Sequence, residues 1–282
     1  MRRRSITATR ASCDDGASSR NLPRVYDSEM KGDEALRRVA TALADARAIV
    51  VLTGAGMSAA SGVPTFRGAG GLWRTFRAED LATPAAFARD PALVWEWYDW
   101  RRQQIAACAP NAGHEVLARW SAARDAMRVI TQNVDGLHER AGTRHVRRLH
   151  GSIWRLRCVR GCPAGGSREE LEVPLAPLPP RCECGAVLRP DVVWFGESLD
   201  PAVLDAAVHD AQRADVFLTV GTSSQVYPAA GLVPLAHAAG ALVVEINPEP
   251  AASADAVDVR LTMGADQALV ALDDLLRQNH AR

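Results

Sequence analysis

The chain has 282 residues and a formal net charge of zero, with 33 basic and 33 acidic side chains. Because no excess of Lys and Arg is left to neutralise phosphates, this balance argues against a general nucleic-acid or membrane-surface binder. No run of about 18 apolar residues occurs, so the sequence predicts no membrane-spanning helix. The length and a hydrophobic content of 48% predict one large domain, or a large and a small one.

Residues 1–32 are rich in Arg, Ser and Thr and show no hydrophobic period. We expect them to form a disordered N-terminal extension, or translation to begin at Met30. Asp14 and Asp15 interrupt the stretch and no apolar segment follows, which argues against an address signal.

Short apolar runs alternate with helical patterns from residue 34 onward. A helical face of spaced apolar residues leads into the run 48–52, which is typical of a strand covered on both faces. Similar runs lie at 128–131, 215–220 and 242–246, and helical stretches at 201–213 and 228–239. This order predicts an α/β fold with a Rossmann-like, doubly wound parallel sheet.

Residues 151–190 break this pattern because they are rich in Pro, Gly, Arg and Cys. We predict a small inserted zinc-binding domain there. The Rossmann-like domain then comprises 33–150 and 191–282, with a helical insertion at about 70–115.

Four of the six cysteines form two close pairs in this segment: Cys158, Cys162, Cys182 and Cys184. Four thiolates close a tetrahedron around zinc and leave no position for water, which predicts one structural Zn²⁺. Unligated thiols are the alternative. Few cysteines in a long chain favour a reducing, cytoplasmic location over disulfides. A zinc ribbon that binds nucleic acid is a further alternative, but the nearby arginines are interpreted as a solvated face.

A glycine-rich segment follows the first strand. Gly54 and Gly56 allow close approach of the backbone to a pyrophosphate, a helix is expected to begin near Ser58, and Ala59 takes the third small position. A tight turn without a ligand is the alternative. No strand ending in an acidic residue follows about 20 residues later, so a dinucleotide binder without simple hydride transfer is favoured over a dehydrogenase.

The segment GAGMSAASGVPTFRG at 54–68 resembles the signature of the sirtuin family of NAD-dependent protein deacylases. Three further blocks agree with it: 131–135 with 149–151, 193–197, and 221–224 with 247–249. The resemblance covers about residues 35–280 in the family's order.

The resemblance implies NAD as co-substrate. Asn133 and Asp135 would act at its nicotinamide end as catalytic residues, and Gln132 at the ribose. Phe66 and Arg67 would belong to a mobile loop over the cofactor. The other cofactor-binding residues implied are Gly54, Ala55, Gly56, Ser58, Ala59, Pro64, Trp73, Val134, Gly221, Thr222, Ser223, Asn247, Pro248, Glu249 and Ala265.

His150 is expected to be the general base, because it alone lies in the family's His-Gly motif, although other histidines are equally titratable in principle. The implied reaction transfers an acyl group from lysine to ADP-ribose and releases nicotinamide. Its partners would be acylated-lysine proteins or peptides, with no membrane and no specific nucleic acid. Mono-ADP-ribosylation of proteins on the same fold is the alternative activity.

Tyr98 and Arg101 are three residues apart and share a face of a predicted aromatic helix. Tyr98 in the core and Arg101 paired with Asp99 or Glu96 is the simplest local interpretation. Within sirtuins, however, this pair and the small Ala82 resemble the class III branch, which removes succinyl, malonyl or glutaryl groups. Guanidinium and phenol would bind the substrate carboxylate. Deacetylation is expected as well.

Overall fold

The structure is a computed structural model that describes residues 32–64, 72–73, 76–251 and 254–280. The expected extension, apart from Gly32, and the loop residues Phe66 and Arg67 lie outside these ranges. Of Trp73, only the backbone is described. Among the described residues, no helix is long and apolar enough to cross a bilayer.

Nine α-helices and eleven strands occur in these ranges. The helices are α1 Gly32–Asp45, α2 Ala78–Leu81, α3 Pro84–Arg89, α4 Pro91–Ala106, α5 Ala112–Ala123, α6 Leu137–Arg140, α7 Pro201–Arg213, α8 Leu232–Ala238 and α9 Ala265–His280. The strands are β1 Ile49–Thr53, β2 Leu72–Trp73, β3 Phe76–Arg77, β4 Met127–Thr131, β5 Val146–Arg148, β6 Gly151–Cys158, β7 Arg168–Glu169, β8 Leu188–Val192, β9 Val216–Val220, β10 Leu242–Ile246 and β11 Val259–Leu261.

Six parallel strands form the central sheet in the order β11-β10-β9-β1-β4-β5. The chain proceeds outward from β1 to β5 and then returns to build the other half from β9. This reversal of strand order opens a crevice at the carboxyl ends of β1 and β9, where open α/β sheets bind ligands. The predicted doubly wound sheet is confirmed.

Apolar side chains cover both faces of this sheet. Alternate residues of β1 point into different cores: Val51 packs with helices α1, α5 and α9, and Leu52 packs with α7 and α8. All five residues of β1 are buried, which explains why the sequence shows an unbroken apolar run there.

A third core joins the cysteine-rich segment to helices α2–α4. Strand β6 pairs with β7 and β8 in an antiparallel sheet, and α4 lies against it. Arg102 of α4 is fully buried and donates to the carbonyls of Ile153, Glu170 and Glu172, each at 2.9 Å. The domain boundaries stay predictions, but the helical insertion and residues 151–194 pack around one core.

Candidate active site

Three neighbouring strands end at the same level beside the crevice. Thr53 at the end of β1 pairs with Thr131 of β4 on one side and with Val220 of β9 on the other. The segments that follow these strands therefore begin side by side: the glycine-rich loop, residues 132–135, and residues 221–224.

The glycine-rich loop lies directly against the loop after β9. The N–H of Gly56 donates to the carbonyl of Gly221 at 2.8 Å, and a Cβ on Gly56 would lie 2.7 Å from the Gly221 Cα. Gly221 has a φ of +60°. Only glycine permits this approach, which leaves the backbone at the crevice free of side chains.

The helix expected to begin near Ser58 begins three residues earlier and is a 3-10 helix. It spans Ala55–Ser61 and ends at Gly62 in the left-handed conformation. Ser58 is buried, where its hydroxyl contacts Asp135, and Ala59 is exposed.

Asn133 and Asp135 are tied to this 3-10 helix. Asn133 Nδ2 donates to the Gly54 carbonyl at 2.9 Å, and the Ser58 hydroxyl donates to Asp135 Oδ2 at 2.7 Å. The Leu137 N–H donates to Asp135 Oδ1 at 2.9 Å. Burial raises the pKa of Asp135, while these two hydrogen bonds oppose the rise. The pair is thus a rigid polar wall of the crevice.

His150 lies between the end of β5 and the start of β6, and its Nδ1 is 3.0 Å from the Gln132 carbonyl. A carbonyl can only accept, so Nδ1 carries the hydrogen and Nε2 of the neutral ring holds a lone pair. Burial lowers the pKa of His150 and the bond to Gln132 raises it in part. A neutral ring with a fixed tautomer is what a general base requires.

The remaining predicted NAD-binding residues extend from this wall toward β10. Gln132 Nε2 donates to the Thr222 hydroxyl at 3.0 Å, and Asn247 Nδ2 to the Thr222 carbonyl at 3.4 Å. Ser223 is half-buried beside Thr222, whereas Pro248 and Glu249 are exposed beyond β10. Ala265 is buried at the first position of α9.

A small pocket opens beside Asn133 and Asp135. Its lining combines the glycine-rich loop with α4, and it consists of Ala55, Ser58, Val63, Pro64, Arg101, Ile105, Asn133, Val134 and Asp135. Arg101 brings positive charge to this pocket. Burial lowers the pKa of Arg101, and the nearby Tyr98 and Asp135 oppose that effect.

The structure brings Tyr98 to Arg101 but not into the lining of that pocket. The Arg101 guanidinium carbon lies 5.8 Å from the centre of the Tyr98 ring. Tyr98 is 1% exposed, and its oxygen accepts a 2.8 Å hydrogen bond from Trp194 Nε1. Ala82 is buried in the same core, where its carbonyl accepts from the Phe195 N–H.

The four predicted zinc ligands converge. Their sulfur atoms all lie within 4.8 Å of one another, with 3.6 Å between Cys158 and Cys184 and 3.5 Å between Cys162 and Cys182. A tetrahedron with zinc–sulfur bonds of about 2.3 Å has edges of about 3.8 Å, so the group fits the ion. A Cβ on Gly165 would lie 2.2 Å from Cys158 Cβ, which explains a glycine beside the cluster.

Sequence reasoning missed three residues that shape this region. Trp194 Nε1 donates to the Tyr98 oxygen, and Arg189 lies with its guanidinium carbon 3.3 Å from the Trp194 ring centroid. Glu197 binds Arg189 and accepts from the Trp194 N–H. Trp194 and Glu197 lie in the block 193–197, but the contact of Trp194 with Tyr98, 96 residues away, leaves no local signal.

Comparison with known proteins agrees with this geometry. Residues 54–228 match the Sir2 family. A protein of Pyrobaculum aerophilum named NAD-dependent protein deacylase 2 is 55% identical over 82% of this chain and 92% of its own. An NAD-dependent protein deacylase of Aquifex aeolicus is 51% identical over 82% and 96%.

Two solved structures show the same fold. A Sir2 homologue in complex with NAD is 41% identical, covers 91% of this chain and 96% of its own, and has a TM-score of 0.80. A Sir2 protein bound to a myristoylated histone peptide is 30% identical over 88% and 99%, with a TM-score of 0.71.

The predictions of NAD as co-substrate, of a structural zinc ion and of NAD-dependent protein deacylation are therefore confirmed, and the ADP-ribosyltransferase alternative is not favoured. The solved Sir2 structures include one with a myristoylated histone peptide and one with a p53 peptide and NAD, which supports acylated-lysine peptides as partners. The roles of individual site residues stay predictions. The chain belongs to the Sir2 family, the sirtuins.

Proposed function

We propose that this NAD-dependent protein deacylase removes acyl groups that end in a carboxylate, such as succinyl and malonyl, and also acetyl groups. The observation that carries the proposal is the position of Arg101, which lines the pocket beside Asn133 and Asp135. A guanidinium binds a carboxylate by charge-assisted hydrogen bonds, so an acyl chain entering this pocket would gain from a terminal negative charge.

The state of Tyr98 supports the same proposal. The N–H of Trp194 can only donate, so its bond to the Tyr98 oxygen leaves the phenolic hydrogen available for an acceptor. Burial raises the pKa of Tyr98 to about 12, although Arg101 opposes the rise, so the hydroxyl keeps its hydrogen at neutral pH.

Bound NAD supplies the ribose that receives the acyl group. We propose that Asn133 and Asp135 bind the nicotinamide end of NAD, and that their hydrogen bonds with Ser58 hold both side chains in place. His150, fixed by the Gln132 carbonyl, accepts the ribose hydroxyl proton at Nε2. Gly54, Gly56 and Gly221 let the loops after β1 and β9 pack in direct contact, which would shape the backbone beside the pyrophosphate.

The substrate class is tested with matched peptides carrying acetyl-lysine, succinyl-lysine, or the neutral monoamide of the succinyl group. Arg101→Met should lower kcat/KM for the succinyl peptide by about 30-fold or more, since losing one side of a buried charge pair costs about 2 kcal/mol at the low end. Acetyl and monoamide peptides should be unaffected or improved. Tyr98→Phe should give the same preference more weakly.

Arg101→Lys is the matched control, because it keeps the charge and loses the planar pair of donors. Its succinyl-to-acetyl ratio should lie between those of the wild type and Arg101→Met. If Arg101→Met lowers all three activities by the same factor, Arg101 supports the fold or the position of Asp135, and the carboxylate proposal fails.

The cytoplasmic location and the absence of membrane and nucleic-acid partners stay predictions from composition.

A further inference from the structure

Buried polar groups form a chain behind Asn133. His138 Nε2 lies 3.0 Å from the Thr53 hydroxyl, which donates to the Thr131 hydroxyl at 2.8 Å. The Thr131 oxygen also accepts the backbone N–H of Asn133 at 3.0 Å. All four residues are at most 9% exposed, so each hydrogen bond is protected from water.

A second buried histidine, His114 of α5, packs against this chain. The backbone N–H of Asn111 lies 3.3 Å from His114 Nδ1, and an N–H can only donate. Nδ1 of His114 is therefore the unprotonated nitrogen, and Nε2 of the neutral ring carries the hydrogen. The rings of His114 and His138 are in contact, with centroids 4.9 Å apart.

No hydrogen bond joins the two rings. Within the described part of the chain, neither His114 Nε2 nor His138 Nδ1 has a hydrogen-bond partner. His114 therefore only packs against His138, and the chain of hydrogen bonds begins at His138 Nε2.

We propose that His138 is a positioning residue that holds the backbone of Asn133 through one directed chain of hydrogen bonds, with the ring of His114 packed against it. The Thr53 hydroxyl donates its single hydrogen to Thr131. Thr53 must therefore accept from His138, which carries its hydrogen on Nε2. Every donor then points toward the oxygen that accepts the Asn133 N–H.

Both rings must be neutral for this arrangement, and their surroundings keep them so. Burial, and then the neighbouring His138, lower the pKa of His114 to about 3. Burial alone lowers the pKa of His138 to about 4. At neutral pH both rings are uncharged, and His138 has the single donor that the chain needs.

The chain matters for the reaction because Asn133 is held from both sides. Its backbone is bound by Thr131, and its side chain donates to the Gly54 carbonyl and to Ser58 Oγ. Loss of the backbone bond should tilt the Nδ2 group away from its place at the nicotinamide end. The inference rests on NAD-dependent deacylation and on the predicted role of Asn133, not on the acyl group proposed above.

The first test removes one hydroxyl without changing volume. Thr131→Val should lower kcat/KM for NAD about tenfold with an acetyl-lysine peptide, since a buried N–H loses its acceptor. Thr219→Val is the matched control, because Thr219 is buried in β9 of the same sheet and its hydroxyl has no partner among the described residues. The control should keep wild-type kinetics.

The second test compares three replacements of His138. Gln can place an amide N–H where Nε2 lies, Asn is too short to do so, and Leu has no donor. His138→Gln should therefore retain most of kcat/KM for NAD, while His138→Asn and His138→Leu lose it about tenfold or more. KM for the peptide should stay unchanged in all three, and zinc content and melting temperature are recorded for each.

Equal kinetics for the Gln, Asn and Leu variants, or equal losses for Thr131→Val and Thr219→Val, would overturn the proposal. If the His138 variants do not fold, Thr131→Ser tests the proposal instead. This variant keeps the hydroxyl and should match the kinetics of the wild type, whereas a loss as large as that of Thr131→Val refutes the chain.

Nitrogen NMR of labelled histidines should show His114 and His138 with hydrogen on Nε2. Hydrogen on Nδ1 of His138 would refute the direction.

Discussion

Mild acid should destabilise the protein through its two buried histidines. Both rings have a lower pKa in the folded state than the ordinary value of 6.5, to about 3 for His114 and about 4 for His138. A folded pKa below the unfolded one means that the unfolded chain binds more protons between the two values. The stabilisation is thus fully present above pH 6.5 and is lost as the pH falls toward 4 and 3.

The size of the loss follows from the unfolded pKa. At about pH 5 both rings are neutral in the folded protein, whereas both are protonated in the unfolded chain. Protonation stabilises the unfolded chain by about 1.4 kcal/mol for each pH unit below 6.5. At 1.5 units below, this amounts to about 2 kcal/mol per ring. The free energy of unfolding should therefore fall by about 4 kcal/mol between pH 7 and pH 5.

Urea unfolding at several pH values measures this loss, because urea carries no charge and leaves the electrostatics intact. The midpoint should fall between pH 7 and pH 5 with an unchanged slope m. The double variant His114→Asn with His138→Gln should be less stable at pH 7 and should show a much flatter pH dependence. A wild-type change below about 1 kcal/mol, or a double variant with the full dependence, would refute the reasoning.

Three further results are expected. Because burial lowers the pKa of His150, kcat/KM should hold down to below pH 6.5 and fall only in more acidic buffer. His150→Ala should nearly abolish deacylation but keep the zinc content and melting temperature of the wild type, and near-wild-type turnover of that variant would require another base. Cys158→Ser and Cys184→Ser should each lose zinc and thermal stability together, since a closed four-thiolate site couples metal binding to folding. Full metal content in a variant that lacks all four thiols would contradict the assignment of the zinc site.

The strands could be predicted because burial on both faces leaves a signature in the local sequence. The run at 242–246 coincides with β10, and the run at 48–52 is one residue from β1. The helix at 228–239 is less regular than expected: a 3-10 turn at Ala229–Gly231 precedes α8. A 3-10 and an α-helical turn differ by one residue in their hydrogen bonds, which hydrophobic periodicity does not resolve.

Contacts between distant segments could not be predicted in the same way. Spacing placed Tyr98 and Arg101 on one helical face, but the partner of the Tyr98 hydroxyl is Trp194, 96 residues away. Likewise, the cysteine spacing predicted a metal site, but not that Arg102 of α4 would bind three carbonyls of the 151–190 segment. Such contacts depend on how two elements pack, which no local pattern encodes.

The tautomer of a histidine also depends on contacts that its local sequence does not reveal. The His-Gly motif singled out His150, but its capacity as a base depends on which nitrogen carries the hydrogen. That is decided by the Gln132 carbonyl at the end of a neighbouring strand. For His114 the deciding group is a backbone N–H, which forces the opposite assignment at Nδ1. Two imidazoles in one fold thus hold opposite tautomers because His150 faces an obligate acceptor and His114 an obligate donor.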